Sequence, residues 1–420
     1  MTKAFYMLNR QNLLKKIEPG SAVVLFAGEE VRKTNDEYYP FYARRSFVYL
    51  TGIEQKQSVY MAVKTEDGDI NETLYLLESD MLAERWTGRR LTANEASEIS
   101  GIASVKPVGA FLKDFDALAS GGHYSLPSAA LTKVYLDLYR ADERDGERPD
   151  HVFARRIREC CPYIAIGNAD ALIRELRLYK QPCEIDALRT AEKITGEGIA
   201  AMMAAARPGI YEYQLKAEFD RALNLHGTDM HGFPPIISAG KNNFCIHYYS
   251  YGGKAEDGDM VLNDVGAKWN GVTVDVSRGW PVNGRFTDRQ ALLYECALKT
   301  SDHMFEIVKP GLPMDFIDKE IRRYNAERLV EAGALDKPEN VARLMWHGGA
   351  HHIGWDVHDV VKAPKAIAPG MVFCIDVGIY NEAWGIGFRL EDNLLVTESG
   401  CENLSRAIPR TIADIENALR

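Results

Sequence analysis

The strongest constraint on the fold of this chain is a pair of matched helix stops. A helical run from about Glu184, EIDALRTAEKITGEGIAAMMAAA, halts at Arg207-Pro208-Gly209-Ile210, and a second helix then runs to Gly227. Later, the run TDRQALLYECALKTSDHMFEIV from Thr287 halts at Lys309-Pro310-Gly311-Leu312, and the helix after it ends at Gly333. Proline lacks the helical N–H and glycine accepts the left-handed conformation that closes a helix, so each stop has a mechanism. Each helix pair leads into strand-like hairpins: DMVLNDVGAKWNGVTVDVSRGW in the first half, GMVFCIDVGIYNEAWGIGFRLEDNLLV in the second. The order helix, helix, antiparallel strands is therefore used twice. Two such units packed face to face predict a pseudo-symmetric α+β domain with sheets inside, helices outside and a ligand cleft at the pseudo-twofold axis. Chance recurrence of Pro-Gly is the competing explanation, and the matched order of four elements weighs against it.

Upstream lies a separate α/β unit. AVVLFAG, FVYLTGI, SVYMAV and TLYLLES read as short strands, rich in β-branched and aromatic residues and broken by glycine or charge. The segment RECCPYIAIGNADALIRELRLYKQPCE is the expected junction, dividing the chain into domains 1–168 and 169–420.

The repeated hairpins carry acids on apolar ground. Asp264 sits in VLNDVG and Asp275 in VTVDVS; Asp376 sits in FCIDVG and Glu391 in FRLEDN. A carboxylate flanked by strand hydrophobes is costly to bury unless it is paired or metal-bound. A single such residue reads as a satisfied core acid. Four, two per hairpin, point to divalent cations with oxygen-rich ligation, although structural acids remain the alternative.

The stretch MWHGGAHHIGWDVHDV gathers His347, His351, His352 and His358 in a chain with ten histidines. His347 and His351 share the spacing of the helical zinc motif H-E-x-x-H, but Gly348, Gly349 and Ala350 lie between them. The glycines disfavour a helix and no glutamate is present, so that motif is excluded. One of these imidazoles can instead supply a nitrogen ligand to ions held by the acids, with others as donors around a metal-bound water.

Charge and apolar content remove other classes. The net charge of −10 leaves no basic field for nucleic acid. The first twenty residues contain no apolar core of a signal peptide, and the most apolar helical stretch, IAAMMAAARPG, is too short to span a membrane. Seven cysteines, with Cys160 and Cys161 adjacent and no C-x-x-C pair, suit free thiols in a reducing compartment, so a cytoplasmic location is expected. No phosphate-binding loop, nucleophile elbow or strand-linked G-x-G-x-x-G occurs.

With these motifs in hand, the chain resembles the pita-bread metallopeptidases (family M24), specifically the aminopeptidase P and prolidase branch. NDEYYPFYARRSFVYLTGIE and ERWTGRRL resemble its N-terminal domain; DVGAKWNGVTVDVSR, HGGAHHIGWDVHD and GFRLEDNLLVTESG resemble its catalytic motifs. The resemblance implies Asp264, Asp275, His351, Asp376 and Glu391 as ligands of two divalent ions, Mn²⁺ first, with Co²⁺ or Zn²⁺ as other ions, and Glu391 bridging. It implies catalytic roles for His247 in CIHYYSY, His347, His358, Asp376 and Arg389, and none for His352. The expected activity is removal of the N-terminal residue from Xaa-Pro peptides. A metal-bridging hydroxide would attack, Asp376 would take its proton, and His247 and His358 would stabilise the oxyanion. A homodimer or higher homo-oligomer is expected by the same analogy. The departure from the family is Asp376-Val377-Gly378, where a Glu-Pro-Gly is usual: the carboxylate reaches about 1.5 Å less far, one carbon–carbon bond. A metal-free amidinohydrolase of creatinase type, and a catalytically weakened or inactive peptide-binding module, are the alternatives on this fold.

Overall fold

The computed structural model describes residues 1–120, 131–228 and 230–420. The chain divides into two compact units, Met1–Leu176 and Arg177–Arg420. Among the described residues, no helix is long and apolar enough to cross a membrane.

The first unit is built on a six-stranded mixed sheet. Its strands are β1 (Ser21–Phe26), β2 (Val59–Lys64), β3 (Ile70–Leu76), β4 (Ser104–Pro107), β5 (Lys133–Leu136) and β6 (Ala165–Asn168), in the order β4-β3-β2-β1-β5-β6. The helices are α1 (Lys3–Lys15), α2 (Arg45–Thr51), α3 (Met81–Thr87), α4 (Ala93–Ser100), α5 (Phe111–Ala119) and α6 (Pro149–Cys160), with α7 (Asp170–Arg177) at the end of the unit. One core gathers Val24, Tyr75, Phe111, Phe115, Phe153 and Ile157, with the Phe115 and Phe153 rings edge to face at 4.8 Å.

FVYLTGI, expected as a strand, is helix α2 over Arg45–Thr51 instead. Every residue of α2 is buried. Seven residues buried on all sides carry no period that separates a buried strand from a buried helix turn. Here the Thr51 hydroxyl donates to the Phe47 carbonyl, a helical i–4 bond, at 2.8 Å.

The second unit contains the repeat. In its first half α8 (Pro182–Ala205) and α9 (Glu212–Leu225) pack together, followed by β7 (Ile236–Ala239), β8 (Met260–Val265), β9 (Lys268–Trp269), β10 (Val272–Thr273) and β11 (Val276–Pro281). In its second half α10 (Asp288–Ile307) and α11 (Phe316–Glu331) pair, followed by β12 (Val372–Asn381) and β13 (Ile386–Val396), then β14 (Cys401–Asn403) and α12 (Ile412–Ala418). Gly209 and Gly311, just beyond α8 and α10, sit at φ +88° and +92°, conformations that L side chains rarely adopt. Thr287 caps α10 by accepting from the Gln290 N–H.

The two halves are not stacked face to face as the repeat alone suggested. They share one sheet, ordered β12-β13-β11-β8-β7, with β14 on β13. The halves join where β11 meets β13, Ser277 opposite Glu391. Helix α10 covers one face through Tyr294, whose ring lies 5.3 Å from Phe388. Phe388 and Glu391 are three apart on β13 and so point to opposite faces, which leaves the Glu391 face for other work.

Candidate metal centre

Register carries three of the acids into one row. Asp264 on β8 is opposite Ser277 on β11, Ser277 is opposite Glu391 on β13, and Glu391 is opposite Asp376 on β12. Directly paired residues share a face, so this row sets Asp264, Glu391 and Asp376 side by side across the sheet. Asp275 lies two residues before Ser277 and shares its parity. Asp376 against Glu391 is a cross-strand pair of like charges, an unfavourable arrangement unless a cation sits between them.

The residues 347–358 pass over this row without forming a helix. They are pinned by backbone bonds to β12: the Cys374 N–H donates to the His351 carbonyl at 2.9 Å and the Asp376 N–H to the Gly349 carbonyl at 2.8 Å. All nine candidate residues, His247, Asp264, Asp275, His347, His351, His358, Asp376, Arg389 and Glu391, line one cavity of about 450 Å³. His352 is not among its lining residues. Its backbone bridges Phe373, and burial, then Lys180, brings its imidazole down to about 4.

Asp264, Glu391 and Asp376 are each held by one oxygen, and His351 approaches the fourth acid, Asp275. Arg389 Nη2 donates to Asp264 Oδ2 at 2.7 Å. The Ser277 hydroxyl donates to Glu391 Oε2 at 3.0 Å. His347 Nδ1 lies 3.1 Å from Asp376 Oδ2, and His351 Nε2 lies 3.5 Å from Asp275 Oδ2. The remaining four oxygens, Asp264 Oδ1, Asp275 Oδ1, Asp376 Oδ1 and Glu391 Oε1, are buried and accept no hydrogen bond. Buried polar atoms are nearly always satisfied, so four orphans in one cavity fit divalent cations.

Donor spacing agrees. One ligand atom from each of Asp264, Asp275 and Glu391 lies within 4.8 Å of the other two, and the same holds for His351, Cys374 and Glu391. Glu391 belongs to both groups; Asp376 belongs to neither.

Titration behaviour reflects crowding. Burial, then Asp376 and Asp264, push the Glu391 carboxyl well above its usual range; burial, then Glu391 and Asp264, do the same to Asp275. Burial opposes ionisation of Asp376 too, but His347, with Arg389 and His351, prevails and holds it below the ordinary value. The protein alone does not supply enough positive charge for all four acids to ionise together. Burial, then His358, brings His351 down to about 4, leaving a neutral imidazole with a lone pair free for a ligand role. Burial, then His247, lowers His358 as well.

Three contributors were not singled out from the sequence. Tyr380 receives a hydrogen bond from Arg389 Nη1 at 2.9 Å and lies 2.9 Å from His347 Nε2 through the same hydroxyl. Ser277 orients Glu391. Cys374 sits two residues before Asp376. The period of two along β11 and β12, counted outward from Asp275 and Asp376, places all three on the acid face.

Residues 186–398 match metallopeptidase family M24, and residues 6–125 match the aminopeptidase P N-terminal domain. The chain is 30% identical to an Xaa-Pro aminopeptidase of Escherichia coli, covering 98% of this chain and 96% of that one. Among solved structures, a Bacillus anthracis protein assigned as an aminopeptidase P superposes with a TM-score of 0.95 at 33% identity, covering 100% of this chain and 99% of that one. Aminopeptidase P from E. coli with the inhibitor Pro-Leu superposes with a TM-score of 0.88 at 28% identity, covering 100% and 98%. Half the chain matches the metallopeptidase family and nearly all of it aligns with Xaa-Pro aminopeptidases, so the protein belongs to metallopeptidase family M24, in its aminopeptidase P branch, and is a metallo-aminopeptidase.

Proposed function

We propose that this protein removes the N-terminal residue from peptides with proline at the second position, using two divalent ions, Mn²⁺ first. The observation that carries this reading is the set of four buried, unpartnered carboxylate oxygens, one on each of four acids that line a single cavity. Proline preference rests on the relatives, named as Xaa-Pro aminopeptidases in E. coli and Haemophilus influenzae.

Asp264, Asp275 and Glu391 would hold one ion, and His351 and Glu391 with a further residue of β12 the other. Bound there, such ions acidify water and polarise a carbonyl. The chain's own groups supply the rest. Asp376, with Oδ1 unpartnered and His347 beside its other oxygen, would take a proton from the attacking water. Arg389, held by the Ile246 carbonyl and Tyr380, fixes Asp264 through Oδ2 and leaves Oδ1 for an ion. His247 and His358 border the cavity as donors for an oxyanion. The surplus of carboxylates over Arg389 favours a substrate's free α-ammonium, which gives an exopeptidase rather than an endopeptidase. Seven free cysteines fit a reducing cytoplasm, and a homodimer or higher homo-oligomer completes the reading, with the N-terminal domain ending near residue 168.

The test compares an Xaa-Pro-Xaa tripeptide, its Xaa-Ala-Xaa analogue and the N-acetylated Xaa-Pro peptide, each with Mn²⁺ and with chelator. Release of the first residue only from the free Xaa-Pro peptide, and only without chelator, is expected. Folded protein that cleaves none of them is instead a peptide-binding module.

A further inference from the structure

Strand β12 departs from a plain carboxylate site at two positions of the same parity, Asp376 and Cys374. Asp376 has a short side chain whose Oδ2 is drawn 3.1 Å from His347 Nδ1, and it joins neither close donor group. Cys374, fully buried, does join one: its sulfur and a ligand atom each of His351 and Glu391 lie within 4.8 Å of one another. The His351 backbone N–H donates to that sulfur at 3.3 Å, which fixes it toward the histidine segment. Glu391 Oε1, on a residue only 2% exposed, has no hydrogen-bond partner and lies 3.7 Å from His351 Nε2. Donors at about 2.0–2.3 Å from one tetrahedral ion stand about 3.3–3.8 Å apart, so these three atoms need only a small inward shift, and sulfur, imidazole and carboxylate together suit such a site.

We propose that the second metal position of this protein is a Cys374–His351–Glu391 site that takes a thiophilic ion, Zn²⁺ or Co²⁺, ahead of Mn²⁺. The inference rests on the metal-centre reading above but not on the peptide specificity. The all-carboxylate position at Asp264, Asp275 and Glu391 remains the harder one and suits Mn²⁺, so the two positions differ in kind. On coordination the thiol proton leaves to solvent and a sulfur–metal bond forms, with no change of oxidation state. Asp376 is thereby free of a ligand role at that ion and is left to its pairing with His347.

The experiment is an anaerobic titration of metal-free protein with Co²⁺, followed by near-ultraviolet absorption and elemental analysis. A sulfur-to-cobalt charge-transfer band is expected in the wild type and in Cys245→Ser, whose exposed thiol lies on another segment. Cys374→Ser is expected to lose the band. In competition, wild type is expected to favour Zn²⁺ over Mn²⁺ at the second position by at least about tenfold more than Cys374→Ser does, the range seen when a group supporting a metal is removed. A band that persists in Cys374→Ser overturns the proposal, as does wild-type protein that binds Co²⁺ without a band. The wild-type arm stands even if the serine variant does not fold. A protein that shows the band but cleaves no Xaa-Pro peptide would sink the peptide reading and leave this one standing.

Discussion

Replacing Arg389 with methionine should destabilise the protein far more without metal than with it. Arg389 is 2% exposed and is the guanidinium that touches the acid row, donating to Asp264 Oδ2 at 2.7 Å. At that separation and an effective dielectric constant of 20, the Coulomb attraction is about 6 kcal/mol. Part of this is offset by the cost of burying both ions, and breaking one partner of such a pair typically costs about 3–5 kcal/mol. Taking about 4 kcal/mol, and about 2–4 °C per kcal/mol for a unit of this size, the melting temperature in chelator should fall by about 8–16 °C. A divalent ion held by Asp264 would supply the missing positive charge, so with saturating Mn²⁺ the fall should be less than half as large. Differential scanning calorimetry of wild type and Arg389→Met, with chelator and with Mn²⁺, measures both. A fall under about 4 °C in chelator, or an equal fall in both conditions, refutes the electrostatic reasoning.

Three other perturbations test separate parts of the account. Gly378 faces His347, and a Cβ there would lie well inside van der Waals contact of its Nε2; Gly378→Ala should lower kcat/KM by at least about tenfold, or about 1.4 kcal/mol, with a near wild-type melt. Lys180 and Asp359 form a buried ion pair at 2.9 Å beside His358, both side chains 0% exposed; Lys180→Met should cost about 3 kcal/mol in urea unfolding, and a change under about 1 would count against the anchor. In the first unit, Asp150 is fully buried with neither oxygen hydrogen-bonded, and burial, then Asp137, pushes its carboxyl up to about 7. The folded state then holds a proton that the unfolded chain gives up above 3.8, so this group's contribution to stability falls as pH rises from about 4 to about 7 and levels off beyond. Asp150→Asn should therefore gain more stability over wild type at pH 8 than at pH 5, and melts showing the same gain at both would contradict this.

What the sequence made legible follows from which signals are local. Helix stops at Pro208-Gly209 and Pro310-Gly311 are local, and α8 and α10 end beside them. The acids were recognisable because a charge inside an apolar strand run is conspicuous without knowing its neighbours. Residues that look ordinary until a partner arrives were not. Tyr380 passes for a strand aromatic until Arg389 and His347 reach its hydroxyl. Cys374 passes for a core cysteine until β12 pairs with β13 and the histidine segment closes over it. Helix α2 reads as a strand in the sequence because its buried run has no exposed face to set a period. The edge-to-edge union of the halves depends on the Ser277–Glu391 pairing, between residues far apart in sequence, which no repeat announces.

The most direct test of the central claim titrates Mn²⁺ into metal-free protein while following bound metal and the initial rate of Xaa-Pro cleavage in the same samples, for wild type and Glu391→Gln. If the buried acid row holds the ions that make the chain an exopeptidase, rate and occupancy rise together in wild type, and Glu391→Gln, lacking the carboxylate common to both donor groups, loses both. Full activity in metal-free protein, or a Glu391→Gln variant that binds and cleaves like wild type, would contradict it.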